Sequence, residues 1–152
     1  KVILLFFVLS CIGLVIFIPL DVFHWHLRPR PGVSMNVFGL ILFIVGWWVI
    51  SLAFKANPFS EESISYLDEY RPTVIQRGIY RVVRHPIYMG VIFMLLGMPL
   101  WLNSYASVLV ALIPIAVLVV RTYAEESYLK THLAGYDDYT TRVRYKLFPL
   151  VW

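Results

Sequence analysis

Residues 87–120 read IYMGVIFMLLGMPLWLNSYASVLVALIPIAVLVV, 34 residues without a charged side chain. A helix needs roughly 20 apolar residues to cross the hydrocarbon of a bilayer. The stretch is therefore too long for one ordinary span. Pro99 and the pair Asn103-Ser104 interrupt it. Proline breaks the helical hydrogen-bond ladder, and a polar pair inside an apolar run marks a turn. The pattern predicts a tight helical hairpin with spans over 86–102 and 105–120. A single long tilted helix would strand the Asn103 amide in lipid.

Upstream of the hairpin, 2–20 and 36–54 are two further uncharged runs, the second set between Pro31 and Lys55. The first is longer than a usual signal-peptide core and lacks a small-x-small cleavage site, so it reads as a span. The chain opens on Lys1 rather than methionine, and further residues are expected before it. The composition agrees with a membrane solvent: of 152 residues 60% are hydrophobic and 14% charged, with a mean hydropathy of +0.74. That leaves too little charge to cover the exterior of a soluble domain. The expected fold class is all-α, a polytopic bundle of about four transmembrane helices, in one domain over 1–152. No internal repeat or low-complexity stretch is visible.

The net charge of +4 does not point to nucleic acid, because the basic residues flank apolar runs as membrane anchors do. With alternating spans, Lys1, the 55–86 loop and the tail from Arg121 share one side. That side holds 11 of the 13 Lys and Arg residues, leaving Arg28 and Arg30 opposite. The positive-inside rule places the basic side in the cytoplasm. Trp25, Trp101 and Trp152 suit an interfacial belt, whereas Trp47 and Trp48 fall mid-span and suit packing or contact with lipid. The single cysteine, Cys11, permits no intrachain disulfide and makes a thiolate metal site a poor fit.

Polar chemistry concentrates in three places. The first is Gly78-Ile79-Tyr80, followed by Arg84-His85-Pro86-Ile87-Tyr88-Met89-Gly90. Proline suits the first turn of a helix, which makes His85 the cap-like residue and leaves free N–H groups beside Arg84 for an anion. The same residues would also serve as a plain membrane-edge anchor. The second is Arg121–His132, read as the fourth helix continuing out of the bilayer. At 100° per residue Arg121, Glu125, Tyr128 and His132 share one face, while Glu126 points elsewhere. Arg121 and Glu125 could form a surface pair worth a few tenths of a kcal/mol, or a functional pair where the helix leaves the membrane. The third is the tail, Gly135-Tyr136-Asp137-Asp138-Tyr139 and then Arg142 to Pro149, suited to folding back on the membrane as an anchor or a lid. On the opposite side His24 and His26 stand near Asp21, but no third or fourth ligand is close enough to predict a metal site.

Taken together, these segments resemble the membrane methyltransferases that include isoprenylcysteine carboxyl methyltransferase and the phospholipid methyltransferases. The resemblance is carried by Gly78-Ile79-Tyr80, Arg84-His85-Pro86-x-Tyr88-x-Gly90, a hairpin, Arg121-x-x-x-Glu125-Glu126-x-x-Leu129, Gly135-Tyr136-x-x-Tyr139 and Phe148-Pro149. It spans 73–152, and the first two spans match only in being spans. It implies S-adenosylmethionine as cofactor, bound on the cytoplasmic side by the last helices and the tail. It further implies that Tyr80, His85, Tyr88 and Glu126 hold the cofactor and that Arg84, Arg121 and Glu125 organise the acceptor. A Gly-rich Rossmann fingerprint is absent, so the cofactor is not expected to be held as in soluble methyltransferases.

The implied reaction is an in-line displacement, in which catalysis is largely alignment away from water. A carboxylate acceptor needs no base; Arg84 and Arg121 would orient it, with Glu125 fixing Arg121. An amine acceptor would need His85 or Glu125 to take a proton. The partners expected are a lipophilic acceptor entering from the bilayer and the membrane lipids themselves. Pro99 and Pro114 could open a groove for that entry or only shape packing. Two other classes compete: an NADPH-dependent membrane reductase, for which the chain is short and poor in basic residues, and a non-catalytic membrane scaffold.

Overall fold

The computed structural model describes residues 2–27, 32–56 and 74–152. Lys1, Arg28, Arg30 and most of the 55–86 loop lie outside the described residues, as does residue 73, where the resemblance begins. Five α-helices occur among those described: α1 (Val2–Leu20), α2 (Val33–Ala56), α3 (Pro86–Trp101), α4 (Tyr105–His132) and α5 (Tyr136–Arg142). The chain is an all-α membrane bundle. The helices α1, α2 and α4 are long and apolar enough to cross a membrane, and α3 is a shorter apolar helix of 16 residues. At 1.5 Å per residue α3 rises about 24 Å, short of the roughly 30 Å hydrocarbon. The apolar part of α4 ends at Val120, and the helix runs three further turns to His132. Trp47 and Trp48 face outward, as lipid-contacting groups do.

The helices pack in the order α1, α4, α3, α2. Leu14 and Ile18 of α1 meet Leu95 of α3 and Ala111 of α4 in one core cluster. On the other flank α2 and α3 run antiparallel with almost no space between their backbones. A Cβ on Gly46 would sit 2.6 Å from the Gly90 carbonyl oxygen, and one on Gly97 would sit 2.7 Å from that of Gly39. Gly39 and Gly46 are seven apart, as are Gly90 and Gly97, so two glycine pairs meet two turns apart along one seam. Small residues let helix backbones approach and pack where lipid gives no hydrophobic drive for association.

The polar pair that divides the hairpin also ties in the first two spans. Asn103 takes a left-handed conformation at φ 65°, and its amide meets that of Asn36 in α2 at 3.0 Å. The Ser104 side chain caps α4 by accepting from Ser107 N at 3.2 Å and donates to the carboxylate of Asp21. Asp21 opens a wide helical turn, Asp21–Trp25, at the end of α1; it is buried and also accepts from Leu27 N at 3.0 Å. Its carboxylate is thus engaged by the hairpin. Among the described residues no group of three or more His, Cys, Asp or Glu converges as metal ligands would. The rings of Pro99 and Pro114 are fully buried, which places both in the packing.

The tail folds back as part of the core. Arg84 N donates to Tyr145 O at 3.0 Å and His85 N to Lys146 O at 2.9 Å, pairing Val83 with Tyr145 in a short parallel bridge. Leu147 is fully buried between Ile92 of α3 and Leu118 of α4.

Candidate functional site

The start of α3, the extension of α4 and the tail converge at the end of the bundle opposite Asn103. Three local features set their positions. Gly78 adopts φ 58°, the left-handed region where glycine is at ease, and opens a tight turn, Gly78–Arg81, that carries Tyr80. Arg77 Nε donates to Ala56 O at 2.9 Å and fastens that turn to the end of α2. Pro86 occupies the first turn of α3, with His85 as its cap residue. The His85 side chain makes no capping bond; it turns instead toward α4.

There it meets Glu126. One oxygen of Glu126 accepts from Arg84 Nε at 2.6 Å and lies 3.3 Å from His85 Nε2, while the other lies 3.3 Å from Lys146 Nζ. Burial alone would raise this carboxyl's pKa. The bonds from His85 and Arg84, with the charges of Arg84 and Lys146, outweigh it and hold the value down to about 2. Arg84 further donates through Nη1 to Val143 O at 2.8 Å and to Arg144 O at 3.3 Å. Its Nε and Nη1 are therefore engaged by α4 and the tail, while the residue also lines a cavity.

The adjacent Glu125 faces the other way. Its carboxylate accepts from the Tyr88 hydroxyl, which in turn accepts from Arg121 Nε at 2.8 Å. Arg121 and Glu125 themselves stand 3.9 Å apart, so the i, i+4 pair is bridged by a phenol from α3. The Tyr88 ring lies parallel to that of His85, with centroids 5.4 Å apart.

Between these elements opens a cavity of about 330 Å³. Tyr80, Arg84, His85, Tyr88 and Glu125 line one part of it; Val74, Leu129, Leu133, Tyr136 and Tyr139 line the rest. Five of the seven residues singled out from sequence thus share one cavity. Glu126 stands behind its wall in the ion-pair cluster, and Arg121 reaches it only through Tyr88. The contributors not singled out are Lys146, which also lies 4.2 Å from the centre of the Tyr123 ring, and the tyrosines of α5. Tyr139 donates to Tyr80 O at 2.7 Å. Tyr136 is buried, yet among the described residues its hydroxyl has no hydrogen-bond partner. Burial, and secondarily the charge of Glu126, pushes its pKa up, so the proton stays on the oxygen.

These groups suit the parts of a sulfonium nucleoside. A carboxylate and aromatic faces fit a cation, the start of a helix fits an anion, and the Tyr136 hydroxyl can donate to a polar group. The volume lies at the lower end of the range for small-molecule pockets.

No curated protein matches the chain. The family described as phospholipid methyltransferase matches residues 34–135. The match takes in α2 from its second residue, the hairpin and all of α4, including Arg84 to Tyr88 and Arg121 to Glu126, and it ends at Gly135, before α5. With well over half of its length matched, the chain belongs to the phospholipid methyltransferase family, and its end-of-bundle cavity is the candidate site of a membrane methyltransferase.

Proposed function

We propose that the protein transfers a methyl group from S-adenosylmethionine to a lipophilic acceptor that reaches the cavity from the bilayer, on the cytoplasmic face. The observation that carries this is the cavity itself: a carboxylate, Glu125, the cation Arg84 and the aromatic side chains of Tyr80, His85 and Tyr88 stand together in one cleft with a run of apolar residues. Tyr80, His85 and Tyr88 would hold the cofactor directly. Glu126 would act one step back, by fixing His85 and Arg84. Bound there, S-adenosylmethionine would supply an electrophilic methyl group.

The chain's own work is then alignment and exclusion of water. Arg84 braces the start of α3 against α4 and the tail, and so positions the wall rather than the acceptor. Arg121 reaches the cavity through Tyr88, and its side chain is about one-third exposed. We propose that it orients a lipophilic carboxylate, as in isoprenylcysteine O-methylation, which needs no general base. Glu125 and Tyr88 hold the guanidinium in place.

A second acceptor, a phospholipid amine, is favoured by the orientation of Glu125. Its carboxylate faces the cavity and could take the proton that an amine loses on methylation. Titration calorimetry with S-adenosylmethionine and with NADPH tests the class: binding of the first alone is expected, and binding of neither would leave a scaffold. Transfer of a labelled methyl group to a prenylcysteine carboxylate, against a phosphatidylethanolamine, then separates the acceptors.

A further inference from the structure

Leu150 and Val151 are 87% and 81% exposed, more than a lipid-facing residue of the spans such as Ile113, at 58%. Their projection is built into the backbone. Leu150 adopts φ 67°, a left-handed conformation that a bulky side chain enters only where its surroundings impose it. The N–H groups of Lys146, Leu147 and Phe148 all donate to Trp152 O, at 3.0, 3.1 and 3.1 Å, and Trp152 N donates back to Phe148 O at 3.1 Å. Residues 146–152 thus form a closed loop whose tip is Leu150-Val151.

The base of this loop lies below the membrane surface. Leu147 is buried against Ile92 and Leu118, and the Phe148 ring meets that of Phe93 with centroids 5.7 Å apart. At 1.5 Å per residue Ile92, Phe93 and Leu118 lie about 15–22 Å from the Asn103 turn, inside a hydrocarbon layer of roughly 30 Å. The far end of the loop returns toward the surface. There the Trp152 ring packs on Tyr123, two residues beyond Arg121, with Lys146 Nζ 5.3 Å from its centre. Aromatic rings beside a lysine suit a membrane interface. The shortness of α3 leaves room for the insertion: 16 residues fall about 6 Å short of the hydrocarbon, so the start of α3 lies within the leaflet and needs apolar cover.

We propose that residues 146–152 are a re-entrant membrane element, with Leu150 and Val151 embedded in the acyl chains of the leaflet on the cavity's side. Irregular backbone enters lipid only where protein meets its polar groups, and Trp152 O meets three of the N–H groups here. The partner is lipid rather than another protein, because the loop's base already sits at membrane depth and its outward side faces the leaflet. The same tail brings Lys146 to Glu126 and the Val143 and Arg144 carbonyls to Arg84. The bilayer thereby helps to hold the ion-pair cluster together.

The test places single nitroxide labels on the full chain, in a Cys11→Ala background, reconstituted in phosphatidylcholine vesicles. Leu150→Cys and Val151→Cys are the test positions. Ile113→Cys on the lipid-facing side of α4 and Thr141→Cys on the exposed side of α5 are the references. Collisions of each label with oxygen, which concentrates in lipid, are compared with its collisions with a water-soluble nickel chelate. Both test positions are expected to match Ile113, open to oxygen and shielded from nickel. Where the two disagree, Val151 decides, since its backbone carries no positive φ that a substitution could disturb. Nickel access equal to that at Thr141 puts the tip in water and overturns the proposal. Shielding from both reagents puts the tip under protein, a second copy included, and overturns it as well.

Discussion

Arg84 Nε and Glu126 Oε1 lie 2.6 Å apart, and the two side chains are only 7% and 8% exposed. The residues come from different elements, the segment entering α3 and the extension of α4. The same carboxylate also faces His85 and Lys146. One buried anion therefore joins the start of α3, the extension of α4 and the returning tail. The walls of the cavity are set by this cluster before any ligand arrives.

Glu126→Ala is accordingly expected to destabilise the protein severely. Removing one member of a buried pair leaves its partner's charge uncompensated, at a cost of about 3–5 kcal/mol. Here Arg84 and Lys146 would both lose their counter-charge. Thermal unfolding in detergent measures this, and an unchanged melting temperature would show that the cluster does not hold the site together.

The same carboxylate sets a pH dependence. Its pKa is lowered from 4.5 to about 2 in the folded protein, so its contribution to stability is complete above 4.5. That contribution is lost as the pH falls through about 2, since protonation then removes the anion from the cluster. The melting temperature should fall on acidification from pH 4.5 toward 2. Glu126→Gln should flatten that fall while other carboxyls contribute equally to both proteins. Parallel profiles for the two would contradict the assignment.

What the sequence discloses here follows from where the physics is local. An uncharged run and its interrupting Asn103-Ser104 give the hairpin, because crossing length and backbone satisfaction are properties of the segment itself. The three chemical segments were likewise visible, since Arg, His and Glu at a membrane edge stand out against leucine and valine. Which carboxylate faces the cavity was not, because Glu125 and Glu126 are adjacent and only the packing of α3 on α4 decides between them. The bonds from Arg84 to the Val143 and Arg144 carbonyls are not legible either, because they depend on the tail folding back against the start of α3. The spacing of Gly39 with Gly46 and of Gly90 with Gly97 is legible in the sequence, and their close approach follows from the packing of α2 on α3.

That seam gives a third prediction. Gly46→Leu places a branched side chain where even a Cβ would lie 2.6 Å from Gly90 O. The backbone cannot yield as a flexible side chain can, so the cost should exceed the roughly 1–3 kcal/mol of ordinary overpacking. Gly13→Leu is the control, since nothing lies within 4 Å of a Cβ there. Yield of folded protein in detergent should collapse for the first and hold for the second. Equal yields would mean that α2 and α3 do not pack this closely.

The last prediction separates holding the cofactor from aligning the acceptor. The Tyr88 ring lies parallel to His85, while its hydroxyl accepts from Arg121 and donates to Glu125. Tyr88→Phe keeps the ring and removes only the bridge. S-Adenosylmethionine affinity is then expected to stay within about threefold of wild type, since the two hydrogen bonds lost lie within the protein and none is to the ligand. The methyl-transfer rate at saturating cofactor should fall on the order of 10- to 100-fold, because Arg121 and Glu125 lose the group that fixes their geometry. Binding calorimetry and single-turnover transfer measure the two quantities separately. An unchanged rate with weakened binding would place the Tyr88 hydroxyl on the cofactor and remove Arg121 and Glu125 from the acceptor's alignment.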